Sequence, residues 1–431
     1  MLDIDYNVSN NVMEKVLEQL SKHHDMLRMV VTNDGGRILP YDQMKGYELY
    51  DVIIDTDSDV SVNSIIYEKN MFVNRSIDIR KGPMFKVVCY HQKNITRLYI
   101  CAHHLIIDGV SWMPLIEDMY SLIEAYRNGT DVILPEKTAS FIQWSEHLWN
   151  IFESDRLDNQ KKYWNDVLGR IPDGKINVLE VDEEATGIIK YSVSLDSSYS
   201  IDAINNAAAN YLIGAEEILI TALARAICNK YGQSSVAMNI ESHGRDDAFG
   251  SVLVYRTIGW FTSVYPIVVK VSDDVESSVI SVKEELHSVP DGGIGYGLLS
   301  NGGVLDNTDS FADVTFNYFG NMLKLMGSSV TVDDKLIGSL NDDNNQPETS
   351  LVVDVSVVDD YAVIYFSGKK TMFDSNSLES LAVQMVNDVK DIIDYCLNKN
   401  EVVRTASDVG AQDMSDDELE SLNDFLDELD F

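Results

Sequence analysis

The stretch RLYICAHHLIIDGVSW, residues 97–112, decides how the fold and the chemistry of this chain are understood. An apolar run closes on His103 and His104, and Asp108 and Gly109 follow directly after another apolar run. Side chains alternate along a strand, so the two imidazoles point to opposite faces and only one can face a given cleft. Gly109 permits a sharp turn, and Asp108 can accept hydrogen bonds or pair with an arginine behind it. The pattern favours one catalytic and one structural histidine; the alternative is a satisfied pair of core groups.

The segments around this corner predict alternating helices and strands. The run SWMPLIEDMYSLIEAYRNG predicts a helix that Ser111 caps and Gly129 ends, with its N-terminal dipole near the corner. Apolar spacing predicts a helix over residues 11–28, and β-branched and aromatic residues predict strands at MFKVVCY and RLYICAH. Later runs predict two strands, an apolar helix, a hairpin across Asp359-Asp360 and a long amphipathic helix.

The composition excludes several classes of protein for this chain. The 431 residues carry a formal charge of −37, which makes nucleic acid or an anionic membrane a poor partner. No apolar stretch is long enough to span a membrane and no signal peptide is visible, so we expect a cytoplasmic protein. The four cysteines form no CxxC pair, and this favours free thiols over disulfides or zinc.

The chain divides by pattern into two α/β halves of similar size. IPDGK at 171–175 is the best boundary, so the predicted domains are 1–172 and 173–403. No basic residue follows Arg404, and we assign 404–431 to an acidic tail or interdomain linker. Apolar residues within it leave a docking helix for a neighbouring chain as the alternative.

The quoted stretch resembles the HHxxxDG signature of the condensation-domain superfamily of nonribosomal peptide synthetases, which is related in fold to chloramphenicol acetyltransferase. Further segments resemble the epimerization domains of that superfamily and occur in the family's order. They are Ser111-Trp112, ESHGRD at 241–246, RTIGWFTSVYP at 256–266, PDGGIGYG at 290–297 and FNYFG at 316–320. Ser242 and Asp246 depart from the family's EGHGRE.

The resemblance implies an α/β (α+β) two-layer sandwich. Two acetyltransferase-like subdomains would form a V-shaped pseudo-dimer with a central tunnel. The first would carry the histidine motif, and the second ESHGRD, RTIGWFT, GIGYG and FNYFG. Family members begin with a further helix and strand, so the resemblance implies that a leading segment is missing here and that one sheet edge is exposed.

The activity implied is L-to-D inversion at the α-carbon of an aminoacyl or peptidyl thioester. The substrate is carried on the 4'-phosphopantetheine of an upstream peptidyl carrier protein domain, with other synthetase modules as neighbours. Inversion needs proton removal on one face and delivery on the other, hence two titratable groups. His104 and Glu241, one from each half, are the predicted pair, and burial should raise the pKa of the carboxyl.

The remaining site residues are predicted in supporting roles. Asn317 and Tyr318 are expected to donate hydrogen bonds near the thioester oxygen or to orient Glu241. The glycines of PDGGIGYG predict a mobile loop. We assign His103, Asp108 and Gly109 to positioning, and Arg256, Trp260 and Tyr296 to a tunnel or carrier-facing surface.

No metal, pyridoxal phosphate or nucleotide is expected, because the histidine spacings suggest no ligand set and no lysine follows the glycine loop in Walker spacing. Two rival functions remain open. One is a condensation domain that forms peptide bonds between carrier-bound substrates. The other is a catalytically silent, condensation-like module that only recruits partners.

Overall fold

The computed structural model describes residues 1–55, 58–178, 184–245, 250, 252–306, 311–321, 334–337, 345, 347–358, 360–399 and 401–410. They form two compact units, and neither is one continuous segment. The first holds Met1–Ile151, Arg245–Thr262 and the helical turn Asp334–Ile337; the second holds Phe152–Gly244, Ser263–Asn321 and the described residues after 346.

This division differs from the contiguous domains predicted from sequence. Residues 152–172, expected in the first domain, group with the second unit. The RTIGWFT segment, expected in the second domain, lies in the first unit, because its side chains and backbone bind the histidine corner. The described part of the predicted tail is anchored to the second unit: the buried ammonium of Lys283 bonds Asp408. Residues 411–431 of that tail lie outside the described residues.

The first unit contains a four-stranded sheet in the order β1-β6-β5-β4. β6 pairs antiparallel with β1 and β5, whereas β4 runs parallel to β5. A separate antiparallel ribbon is formed by β2 and β3. The strands are β1 (Leu2–Ile4), β2 (Met29–Thr32), β3 (Gly35–Ile38), β4 (Glu48–Ile53), β5 (Phe85–Gln92) and β6 (Ile95–Ala102). Sequence analysis missed β1, since three residues are too few to show a period.

Four helices belong to this part of the chain: α1 (Asn10–His23), α2 (Asp59–Arg75), α3 (Trp112–Asn128) and α4 (Phe141–Phe152). α1 and α3 pack against each other and bury Leu17, Leu20, Leu115 and Met119 in the core. The predicted end of α3 is confirmed: Gly129 adopts a left-handed backbone with φ +66°.

The second unit is built on a six-stranded sheet in the order β7-β12-β11-β10-β8-β9. β10 lies parallel between β8 and β11, and the other pairings are antiparallel. The predicted hairpin is formed by the last two strands. The strands are β7 (Ile188–Ser194), β8 (Ser235–Ser242), β9 (Ser263–Lys270), β10 (Val314–Gly320), β11 (Leu351–Val358) and β12 (Tyr361–Lys369).

Helices pack against this sheet. They are α5 (Asp158–Arg170), α6 (Ile201–Ala209), α7 (Ala215–Tyr231), α8 (Val275–His287), α9 (Ile294–Asn301) and α10 (Ser375–Leu397). α7 and α10 pack on each other and on strands of the sheet. β11 alternates accordingly: Leu351, Val353, Val355 and Val357 are buried, and the residues between them are half-buried. The mixed α/β character predicted from sequence is confirmed.

Two further predictions can be compared with the described residues. No helix among them has the length and apolar character needed to cross a bilayer. All four cysteines are free thiols, as predicted, and Cys89, Cys228 and Cys396 are buried.

Candidate functional site

The two histidines at the end of β6 differ in environment. His103 is fixed locally: its backbone N–H donates to the Met84 carbonyl at 2.9 Å, and its Nδ1 accepts from the Leu105 N–H at 3.2 Å. Burial, followed by the proximity of His104, lowers the pKa of His103 and favours a neutral imidazole. His104 begins a short 3-10 turn, is exposed, and lies 5.5 Å from the Trp260 ring between centroids. Of the pair, His104 is therefore the histidine available to a substrate.

Asp108 is the centre of the turn that follows. Its carboxylate accepts from the Ser111 N–H at 2.8 Å, the Ser111 hydroxyl at 2.7 Å and the Phe261 N–H at 3.0 Å. Arg245 Nη2 donates to both of its oxygens, at 2.8 and 2.9 Å. The expected pairing with an arginine is thus present. Because both carboxylate oxygens accept these bonds, Asp108 stabilises the turn.

Two details of the corner differ from expectation. The Ser111 hydroxyl does not cap α3; it donates to Asp108 and to the Gly259 carbonyl instead. Gly109 lies in the turn without a positive φ, so its backbone conformation does not by itself require glycine.

Arg245 also explains why the segment around residues 252–262 belongs to the first unit. Its Nη1 donates to the carbonyls of Val254 and Thr257, both at 2.8 Å, and its guanidinium lies 4.1 Å from the centre of the Phe261 ring. One buried cation therefore connects the segment to Asp108. Sequence analysis expected an arginine partner for Asp108 but did not identify Arg245, although it is the arginine of ESHGRD.

Arg256 was predicted to face a tunnel or a carrier, and the structure gives it another role. Its guanidinium pairs with Glu117 at 3.0 Å and with Asp118 at 2.6 Å, both on α3. The second oxygen of Asp118 contacts His24 Nε2 at 2.9 Å. His23, His24 and Asp118 are close enough together to hold a metal ion, but Arg256 already neutralises the carboxylate. This group is a buried charge network that fixes α3.

Trp260 and Phe261, neighbours in sequence, have different roles. Trp260 is 46% exposed and forms a wall beside His104. Phe261 is buried and contacts Phe141 edge to face. The glycine just before them is tightly packed, since a Cβ on Gly259 would lie 2.4 Å from Phe141 Cδ2. Trp260 therefore remains a candidate contact for a substrate, whereas Phe261 packs in the core.

Glu241 lies near the end of β8 in the second unit and is half-buried. Asn317 Nδ2 on β10 donates to its Oε2 at 3.0 Å, so the predicted contact between these residues is confirmed. Burial raises the pKa of Glu241 to about 7, and the nearby Asp354 carboxyl adds to the effect. The predicted direction is confirmed, and this carboxyl exchanges protons near neutral pH.

Tyr318 does not accompany Asn317. Strand alternation places it on the same face as Phe316, which is fully buried beneath the helices. Burial, then the Glu216 carboxyl on α7, raises the pKa of the Tyr318 phenol. Within the described part of the chain no hydrogen bond joins Tyr318 to Glu241. The expectation that Tyr318 orients Glu241 is therefore not supported, because adjacent strand residues point to opposite faces.

The PDGGIGYG segment is not the loop predicted from its glycines. Pro290–Gly293 forms a 3-10 turn and leads into α9. Gly293 has φ +78°, and a Cβ there would lie 1.9 Å from Tyr265 Cδ1. Tyr296 packs on the buried Trp164 with ring centroids 5.1 Å apart. The glycines permit close packing, and Tyr296 belongs to an aromatic cluster with Trp164.

The mixed α/β fold and the HHxxxDG corner define a condensation-type domain, and comparison with known proteins agrees. The Condensation domain family model matches residues 1–415, so the chain belongs to the condensation-domain family of nonribosomal peptide synthetases. It is 29% identical over 427 residues to bacitracin synthase 3 of Bacillus licheniformis, a match that covers 96% of this chain and 7% of that protein. It is 27% identical over 437 residues to tyrocidine synthase 1 of Brevibacillus parabrevis, covering 96% of this chain and 40% of that protein.

Solved structures show the same fold. The epimerization domain from the third module of tyrocidine synthetase B superposes with a TM-score of 0.80 at 25% identity, covering 93% of this chain and 92% of that one. The first condensation domain of the calcium-dependent antibiotic synthetase superposes with a TM-score of 0.64 at 15% identity, covering 91% and 90%. The chain thus matches both kinds of domain in fold, and it spans less than half the length of either full-length synthase.

Proposed function

We propose that this domain inverts the α-carbon of an aminoacyl or peptidyl thioester carried on the 4'-phosphopantetheine of a peptidyl carrier protein domain. The observation that carries the proposal is Glu241, a half-buried carboxyl with a pKa raised to about 7 and one oxygen held by Asn317. The likeness to an epimerization domain over 93% of the chain supports it.

The chemistry requires two proton carriers. A thioester makes the α-proton more acidic, but a base must still remove it and an acid must return one to the opposite face. We assign these roles to His104 and Glu241. An imidazole is a common general acid or base, and the pKa of about 7 lets the Glu241 carboxyl serve as either, as the direction of inversion requires.

The other residues keep these two groups in place. Asp108 and Arg245 hold the turn that carries His104. The Asn317 amide binds Oε2 of Glu241 and not Oε1. Trp260 beside His104 offers an apolar surface to a substrate side chain or to the carrier arm. The phosphopantetheine arrives with the carrier as part of the substrate. The partners proposed are that carrier domain and neighbouring synthetase modules.

The test follows the α-proton. A carrier loaded with an L-aminoacyl thioester is incubated with the protein in D2O, and the D/L ratio and α-deuterium content are measured together. We expect deuterium entry with drift towards a D/L mixture, reduced by about 10²–10⁴-fold in His104→Ala and Glu241→Gln. The exposed His287→Ala and Glu379→Gln, both outside the histidine corner and outside β8 and β10, serve as controls. Full activity in both site variants would overturn the proposal.

Peptide-bond formation is the second candidate, favoured by the match of the Condensation domain model to residues 1–415. Donor-loaded and acceptor-loaded carriers supplied together separate the two functions. A condensation domain would release dipeptide without α-exchange, and this activity would need His104 but survive Glu241→Gln. A protein that binds carriers yet performs neither reaction would be a recruitment module.

A further inference from the structure

A second carboxyl, that of Asp354, lies in the same row of residues across the sheet as Glu241. β8, β10 and β11 are neighbouring parallel strands, and Asn317 is in register with Asp354. On the other side, Ile240 is in register with Phe316, and the following Asn317 donates to Glu241 at 3.0 Å. Glu241, Asn317 and Asp354 therefore lie side by side across three strands.

Asp354 lies on the same face as Glu241. Its neighbours Val353 and Val355 are fully buried on the helix-covered side, so alternation directs Asp354 to the other side. Two strand spacings separate Asp354 from Glu241, or about 10 Å between their Cα atoms. Among described residues, no cation and no hydrogen-bond donor contacts the Asp354 carboxyl, and burial raises its pKa to about 6.

Among the titratable groups that the structure describes around this row, none places a compensating positive charge at Asp354. On β12, Tyr365 is in register with Asp354 and 38% exposed. On the outer strand β7, Lys190 is in register with Ser367 rather than with Tyr365. Tyr318 and Glu216 interact on the helix-covered side. The charge that acts on Glu241 from this row is therefore another carboxyl, Asp354.

We propose that Asp354 is a positioning residue whose negative charge, two strands away from Glu241 in the same row, keeps Glu241 partly protonated at neutral pH. This inference rests on the proposed epimerization function. Asn317 Nδ2 donates to one oxygen of Glu241 and so fixes the orientation of that carboxyl in the row. Inversion in both directions needs Glu241 in both protonation states, and a neighbouring negative charge keeps the protonated state populated.

The direct test is a titration of Glu241 in protein labelled with ¹³C at glutamate side-chain carboxyls, with its signal assigned by Glu241→Gln. Asp354→Asn should lower the midpoint by roughly one pH unit, as expected for two charges about 10 Å apart at an effective dielectric constant of about 20. The exposed Glu379→Gln, which also removes one negative charge from the second unit, should leave the midpoint unchanged. If Asp354→Asn does not fold, Asp354→Ser replaces it.

The same variants are followed by the rate of α-deuterium entry against pH. In Asp354→Asn, the part of the pH–rate profile that depends on Glu241 should move to lower pH by the same amount as the Glu241 midpoint. A purely structural defect would lower the rate without moving the profile. An unmoved titration in the folded variant would overturn the role of Asp354. A moved titration in a protein that never exchanges the α-proton would instead refute the proposed function and leave the carboxyl coupling intact.

Discussion

Removing one partner of the ion pair between Asp108 and Arg245 should strongly destabilise the first unit. Their side chains are only 2% and 5% exposed, and Arg245 Nη2 contacts both Asp108 oxygens. Asp108→Asn keeps the shape but removes the charge, which leaves the guanidinium buried without its counter-ion. Burial already lowers the pKa of Arg245, and Asp108 is the group that opposes this shift.

The expected cost can be worked out from this geometry. Removing one partner of a buried pair typically costs about 3–5 kcal/mol, because the remaining charge is desolvated and unpaired. The asparagine amide can still accept from the Ser111 or Phe261 N–H, so we expect the lower part of this range. Arg245→Met should cost a similar amount. The double variant should cost less than the sum of the two by about 2 kcal/mol or more, since no unpaired charge remains.

Urea unfolding followed by tryptophan fluorescence suits this measurement. Four of the five tryptophans, Trp112, Trp144, Trp149 and Trp260, belong to the first unit, and Trp164 belongs to the second. The signal therefore reports mainly on the unit that carries the pair. Single variants that each cost less than about 1 kcal/mol and add without coupling would refute the reasoning, because they would mean that solvent reaches the pair.

Two further predictions concern the second unit. Burial, then Glu217, raises the pKa of Glu216 to about 7 from 4.5, so the folded state holds that proton more tightly and stability falls as pH rises between these values. Glu216→Gln should therefore nearly match the wild type in free energy of unfolding at pH 4.5 and exceed it at pH 8 by up to about 3 kcal/mol, as measured by urea unfolding; equal free energies at pH 8 would contradict this. Gly293→Ala should lower the melting temperature far more than Gly129→Ala, because both have positive φ but only Gly293 faces a clash, with Tyr265. Similar losses in the two variants would show that the Tyr265 ring moves aside.

Local patterns in the sequence predicted the elements that depend on local spacing. Apolar periodicity predicted α1, α3 and α10, and β-branched runs predicted the β11–β12 hairpin. The three-residue strand β1 carries no such pattern. The division into units also escaped prediction, because it depends on Arg245 reaching Asp108 across 137 positions. No local composition reports a contact at that separation.

The site was predictable where a side chain ends a strand and was missed where it lies within one. His104 and Glu241 follow apolar runs, and this made both visible. Asp354 is hidden inside LVVDVSVV, where alternation alone says only that it faces away from the core. For PDGGIGYG the sequence-based prediction was wrong. Its glycines suggested a mobile loop, but the segment is tightly packed, since a Cβ on Gly295 would lie 2.0 Å from Gln160 Oε1. Glycine permits freedom and close packing alike, and only the neighbours distinguish them.

The histidine corner cannot by itself decide between the two activities of this family. A base that accepts one proton at a time serves peptide-bond formation as well as inversion, and the bonds that fix Asp108 and Arg245 stabilise the turn in either case. Inversion adds a demand for a second group that is sometimes protonated and sometimes ionised at the same pH. In the second unit that demand falls on Glu241, whose pKa of about 7 arises from burial and from Asp354. A glutamate with its ordinary pKa would be almost wholly ionised at neutral pH and could rarely return a proton. The distinction therefore depends on the row of the second sheet that holds Glu241 and Asp354, where no described residue pairs either carboxyl with a cation.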